Sequence, residues 1–386
     1  MSVHSESDGS VPSVSPAVLH ERLLAGEAVT ILDVRDRDEF ESWHVDGPSV
    51  TARQIPHVKF VQAEVKGTAA DLVADVAEPI IAVCGEGEAS RHAAGLLVDA
   101  GVDAYNLAGG MDAWAELLVA RELDDVPGTV IQYDRPASGC LSYLVVVGDE
   151  AVVVDPLRAF THRYIEDANE RGADIRYAVD THVHADHVSG VRAVAAESDA
   201  EPVLPELARE RGLAFDVRPV ADGEALSVGN AQLKAIHTPG HTSEMTAFEY
   251  DGVLFAGDGL FLDSVARPDL EDGDEGAPDA ARQLYHTLQE KVLTYPDSVR
   301  LAPAHYGPNS PRADDGTYTA TIGEVRDRLD ALSLREDDFV EFVLADMPPQ
   351  PANYERIIDA NLGRESLSDA DAFEVELGPN NCAATR

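Results

Sequence analysis

The stretch THVHADHVSG, residues 181–190, places three histidines and an aspartate within six positions of a chain that has only 13 histidines among 386 residues. A loop can hold polar residues simply for solvation, but this spacing argues for more. An i, i+2 histidine pair followed by Asp-His suits a core poorly, because neighbouring imidazoles each need separate hydrogen-bond partners. The same side chains are easily satisfied when they converge on a cation.

Working outward, the β-rich run IRYAVDT (175–181) leads straight into this loop. Three later segments repeat the arrangement: AQLKAIHTPGHT (231–242) carries His241, MTAFEYDGVLFAGD (245–258) ends on Asp258, and SVRLAPAHYGP (298–308) carries His305. Each of His182, His241, Asp258 and His305 therefore sits just after a predicted strand, which is how a β-sandwich brings side chains from several strands to one rim. Gly240 lets the backbone turn tightly before His241. Asp251-Gly252 predicts a hairpin turn. CLSYLVVVG (140–148) and EAVVVDP (150–156) read as an antiparallel pair; Asp155 is either a support for the side chains of the histidine loop or, as the simpler account, a turn residue before Pro156.

Upstream lies a second α/β block. VTILDVRD (29–36) and PIIAVCG (79–85) read as strands, SRHAAGLLVDAG (90–101) as a helix ending on Gly101, VDAYNLAGG (102–110) as strand and turn, and MDAWAELLVA as a helix. Strands alternating with helices imply a parallel sheet. The acidic stretch RELDDVPGT (121–129) breaks both periodicities and is placed as the boundary. The expected organisation is a disordered tail over 1–14, an α/β domain over 15–122, a sandwich over 129–335 and a helical extension over 336–386.

These motifs carry resemblances. From about residue 129 onward the chain resembles the metallo-β-lactamase superfamily, which implies an αβ/βα sandwich. Within it, THVHADHVSG, TPGHTSE, LFAGDGLFLDSVARPDLE and PAHYG are similar to the persulfide dioxygenase branch. The tail PPQPANYERIIDAN…ELGPNNCAA resembles the C-terminal extension of fused members of that branch. The resemblance implies one Fe(II) on His182, His241 and Asp258, a facial triad with open positions for substrate sulfur and O₂. His184, Asp186, His187 and His305 then orient the ligands and steer protons. Hydrolases of the same superfamily imply the alternative of two zinc ions, with His182, His184 and His241 on one, Asp186, His187 and His305 on the other, and Asp258 bridging. Arg267 is a candidate partner for a substrate carboxylate, with a salt bridge to Asp269 or nearby acids as the competing reading.

Residues 15–120 resemble rhodanese domains: LDVRDRDEFESWHVDGP looks like their first signature, CGEGEAS like their active loop and LAGGMDAW like their closing motif. A glycine-containing loop feeding a helix N-terminus stabilises a thiolate or persulfide anion, so Cys84 is the candidate persulfide carrier and Arg91 its nearest cationic support. The loop departs from the family in charge. Glu86 and Glu88 stand where active thiosulfate sulfurtransferases usually carry basic residues, and two carboxylates repel thiosulfate. Cys140 reads as core packing and Cys382 as a free surface thiol.

Composition narrows the partners. Acidic residues number 71 against 29 basic, a net charge of −42, and only four residues are lysine. Such a surface repels nucleic acid and anionic membranes. No apolar run approaches the roughly 18 residues of a membrane span. The polar, serine-rich start, without a basic or apolar stretch, argues against a secretory signal, and three cysteines make no disulfide framework, so a cytoplasmic location is expected. Expected partners are a small-molecule persulfide and O₂, with a homodimer as the alternative to a monomer. Because the acids are spread along the whole chain, the charge reads as a halophilic surface, not as a binding site. The thermal midpoint is then expected to fall on dilution from molar into millimolar salt, since carboxylate repulsion is no longer screened. An unchanged midpoint removes that reading.

Overall fold

The computed structural model describes residues 11–345 and 347–378, together with the backbone of the strand Ala383–Ala384. The chain divides into two compact units: residues to Leu117 with Arg135–Ala137, and the remainder.

The first unit is a five-stranded sheet in the order Ser13–Val14, Ala104–Leu107, Ile80–Val83, Val29–Asp33 and Val50–Gln54, with every neighbouring pair parallel. Its central strands Val29–Asp33 and Ile80–Val83 are buried at every position, as expected of a sheet covered by helices on both faces. Two corrections apply. The tail does not extend to residue 14: Ser13–Val14 adds an edge strand beside Asn106 and Leu107, and Val14 is buried. Residues 1–10 of the tail lie outside the described residues. The helix starting near Met111 spans only Gly110–Ala115.

The second unit packs two sheets over one apolar core. The seven-stranded sheet runs Arg218–Val220, Glu201–Pro205, Asp174–Val179, Glu150–Val154, Cys140–Val147, Thr129–Arg135, Val119–Glu122. The six-stranded sheet runs Ala225–Val228, Ala231–His237, Thr246–Tyr250, Val253–Gly257, Arg300–Pro303, Ala320–Thr321. Tyr143, Val152, Phe248, Phe255 and Leu301 belong to the buried core shared by the two sheets. The expected antiparallel pair at 140–154 is present, as is the hairpin at Asp251-Gly252, where both residues have positive φ (42° and 87°).

The placed boundary at 121–129 moves. Val119–Glu122 pairs antiparallel with Thr129–Arg135, so the acidic stretch connects two strands of one sheet. The boundary at 335 moves as well. The helix Glu336–Leu344 puts Phe339, Val340 and Val343 into the main core, whereas Tyr354–Asn361 and Asp369–Val375 contribute to a separate small cluster. Among the described residues, no helix is long and apolar enough to cross a membrane.

Candidate metal centre and cysteine loop

No regular element lies between the strand Asp174–Val179 and the helix Val191–Glu197, and the histidine-rich loop fills that interval. His182, His241 and Asp258 each follow a strand, and one donor atom from each lies within 4.8 Å of the other two. Gly240 makes the approach to His241 possible: its φ is +137°, and a Cβ there would run into the backbone of Leu284.

Hydrogen bonding fixes what each side chain presents. His241 Nδ1 donates to the Arg267 carbonyl oxygen at 2.8 Å. His182 Nδ1 lies 2.9 Å from Thr181 Oγ1, which itself donates to Asp155 Oδ2 at 3.1 Å. A hydroxyl that donates to Asp155 accepts from His182, so both imidazoles are protonated on Nδ1 and bare on Nε2. Asp258 Oδ1 accepts from His305 Nδ1 at 2.5 Å. The atoms left over are His182 Nε2, His241 Nε2 and Asp258 Oδ2; all three are buried without a hydrogen-bond partner. The two nitrogens stand 3.7 and 3.6 Å from that oxygen. Buried polar atoms are rarely left unsatisfied, and three converging ones fit a cation.

Electrostatics favour the same donor states. Burial, reinforced by His184 and His241, holds His182 well below the usual histidine range. Burial also lowers His241, although Asp258 pulls the other way. For Asp258, burial would raise the pKa, but the charge and hydrogen bond of His305 outweigh it and the carboxyl is lowered. Two neutral imidazoles and a carboxylate result, the states a metal requires of its ligands.

The remaining loop residues form two neighbouring groups. His184 Nε2 faces Asp155 Oδ1 at 3.1 Å and makes a group with Asp155 and Asp180. Asp186, His187 and His305 form the other, joined by Cys140. Asp186 Oδ2 accepts from His305 Nε2 at 2.6 Å, from Cys140 Sγ at 3.1 Å and from His187 Nδ1 at 3.3 Å. His305 thus bridges the carboxylates of Asp186 and Asp258.

At three positions the structure shows which partners the side chain has. Arg267 is 1% exposed and its guanidinium grips Asp269 with two bonds of 2.7 and 2.8 Å, while a third nitrogen donates to the Pro349 carbonyl. It is a salt-bridged structural arginine, and its link to the centre runs through its backbone carbonyl. Cys140 is buried as expected, but it belongs to the polar group around Asp186. Asp155 has the φ of a turn residue (51°), yet its carboxylate also accepts from Thr181 N, Thr181 Oγ1 and His184, orienting the loop. Sequence reasoning missed Thr181 and Glu244. The latter is fully buried and accepts from Val183 N at 2.8 Å and from Arg211 at 2.7 Å. Both lie inside the quoted motifs THVHADHVSG and TPGHTSE, and that position was the only hint of a role.

In the first unit, Cys84 Sγ accepts from Gly87 N (3.1 Å), Ser90 N (3.3 Å) and Ser90 Oγ (3.2 Å) at the start of the helix Glu88–Asp99. Donors so placed suit sulfur that carries negative charge. The LAGGMDAW motif closes it from behind: Met111 N and Asp112 N donate to the carbonyls of Cys84 and Gly85. Gly110 has φ +62°, and a Cβ there would run into both carbonyl oxygens. Arg91 is exposed and is not among the donors to the thiol, and Glu86 and Glu88 are exposed as well. Cys382 lies outside the described residues.

Comparison with known proteins agrees with this division. Residues 15–117 match the family model described as a rhodanese-like domain, and residues 135–305 match the metallo-beta-lactamase superfamily. The mitochondrial persulfide dioxygenase ETHE1 of Mus musculus is 28% identical over 246 residues, covering 61% of this chain and 88% of the relative. A probable metallo-hydrolase of Burkholderia pseudomallei (strain 1710b) is 30% identical, over 55% of this chain and 84% of its own length. A metallo-beta-lactamase from Staphylococcus aureus subsp. aureus COL superposes with a TM-score of 0.54 at 28% identity, covering 62% of this chain and 73% of that one.

Proposed function

We propose that this chain, which belongs to the metallo-β-lactamase superfamily and carries a rhodanese-like domain ahead of the superfamily fold, is a persulfide dioxygenase. The overall reaction is RSSH + O₂ + H₂O → RSH + SO₃²⁻ + 2H⁺. Both atoms of O₂ pass to the terminal sulfur, water supplies the third oxygen, the S–S bond breaks and the thiol leaves. The observation that carries this reading is the donor set of His182 Nε2, His241 Nε2 and Asp258 Oδ2, buried and without other partners. When bound there, Fe(II) supplies adjacent open positions for a sulfur ligand and O₂.

The chain's own residues do the rest. Thr181 Oγ1 and the Arg267 carbonyl hold the two imidazoles in one tautomer, and His305 holds Asp258 in one orientation. His305 stands within hydrogen-bond distance of the Asp186 and Asp258 carboxylates, the second of which would bear the metal. His182, His241 and Asp258 are at most 1% exposed, which strengthens every electrostatic interaction within the site. The Cys84 loop in the first unit is suited to hold sulfane sulfur as a bound persulfide.

A second reading draws on the group Cys140, Asp186, His187 and His305, whose donor atoms also lie within 4.8 Å of one another. Two zinc ions would then serve a thioester hydrolase. One experiment separates the two. Protein purified without oxygen is expected to hold about one iron per chain and to consume O₂ with added small-molecule persulfide. Two zinc ions per chain and thioester hydrolysis without oxygen uptake would overturn the dioxygenase reading.

A further inference from the structure

The loop 182–190 is buried at every position and has no regular structure, so its backbone groups need partners from elsewhere. Four such hydrogen bonds come from two residues of the C-terminal segment. Asn361 is 4% exposed; its Nδ2 donates to the carbonyls of His184 (2.9 Å) and His187 (2.8 Å), and its Oδ1 accepts from Ser189 N (2.8 Å). Glu376 Oε1 accepts from Val188 N at 2.7 Å.

Apolar packing makes an independent connection. Among the described residues, the small cluster beneath the C-terminal helices consists of Ile357, Ala360, Leu367, Ala372 and Val375 together with Val188 of the metal loop. The helices Tyr354–Asn361 and Asp369–Val375 thus share their core with the loop. Further ties anchor the segment nearby: Arg158 donates to Asp369, and Arg192 to the Ala360 carbonyl.

We propose that Asn361 is a positioning residue of the metal centre, and that docking of the segment 354–376 and occupancy of the metal site are energetically coupled. The proposal rests on His182, His241 and Asp258 being metal donors, but not on which reaction follows. A metal ion fixes the start of the loop at His182, whereas Asn361 and Glu376 fix it from His184 to Ser189. Whatever orders one end lowers the entropy loss of ordering the other. By linkage, each event must then strengthen the other by the same factor.

The test uses full-length, metal-free protein titrated with Co(II), a spectroscopically visible divalent ion that accepts nitrogen and oxygen ligands. Asn361→Ala is expected to bind Co(II) about ten- to a hundredfold more weakly than wild type, the range typical of residues that orient metal ligands. A purely structural role would lower the thermal midpoint of the metal-free protein and leave that affinity unchanged. Affinity within about twofold of wild type, below the usual range for such residues, overturns the proposal.

Wild-type protein supplies a measurement that does not depend on the variant folding. Co(II) is expected to slow amide hydrogen exchange across 354–361 and 369–375, and equal exchange with and without the ion also overturns the coupling. The two levels of failure are distinguishable. Wild-type protein that takes up no Co(II) refutes the metal centre and the coupling with it. Tight binding unaffected by Asn361→Ala refutes the coupling alone.

Discussion

Asp258→Ala, purified without oxygen, is expected to contain almost no metal and to consume no O₂ with added persulfide. Asp258 is the one carboxylate of the donor set, and its Oδ2 stands 3.7 and 3.6 Å from the two imidazole nitrogens. Without it, two neutral imidazoles remain, with no anionic ligand to balance a divalent charge in a fully buried site. Changes in residues that merely orient a ligand weaken metals by about ten- to a hundredfold, and loss of a direct ligand exceeds that. His241→Ala should empty the site as well, since its Nε2 has no other partner. Asp258→Asn separates charge from shape. The amide oxygen can still accept from His305, so the fold should survive while the metal is lost. Metal analysis alongside oxygen uptake decides the matter, and stoichiometric iron in Asp258→Ala would end the triad assignment.

Cys84→Ser should abolish protein-bound persulfide in the first unit while leaving oxygen uptake with free persulfide at the wild-type level. The Sγ atom sits 3.1 to 3.3 Å from Gly87 N, Ser90 N and Ser90 Oγ, and a serine oxygen in its place can still accept from the two backbone N–H groups. The substitution removes the nucleophile and little volume, so the buried loop should keep its shape. The candidate metal site belongs to the other unit, and on the proposed reading it needs only a diffusible sulfur ligand. Mass spectrometry after exposure to a sulfur donor reads the first effect, and an oxygen electrode reads the second. Should oxygen uptake fall to the level of Asp258→Ala with free persulfide present, sulfur passes through Cys84 on a single route and the division of roles is wrong.

Motifs confined to one stretch of chain are legible in the amino-acid sequence. The strands beside the histidine loop, the antiparallel pair at 140–154, the turn at Asp251-Gly252 and the Cys84 loop all rest on neighbours within a few positions, where spacing and turn chemistry act directly. The domain boundary is not legible in this way, because RELDDVPGT has the composition of a linker. The pairing of Val119–Glu122 with Thr129–Arg135 depends on the sheet that receives both strands.

That these side chains suit a metal ion follows from local pattern alone. Histidines and an aspartate placed at strand ends converge wherever such a sandwich closes, so the types of donor are written into the chain. How those donors are shared out is a property of the packed fold. It turns Arg267 onto Asp269, draws Cys140 to Asp186 across 46 residues, and sets His305 between Asp186 and Asp258, which lie 119 and 47 residues away. It also brings Asn361 to the carbonyl of His184, 177 residues distant. A hydrogen bond forms only where donor and acceptor meet within about 3 Å at a suitable angle. No residue spacing encodes that meeting over such separations; only the packing of the two sheets and the C-terminal helices brings it about.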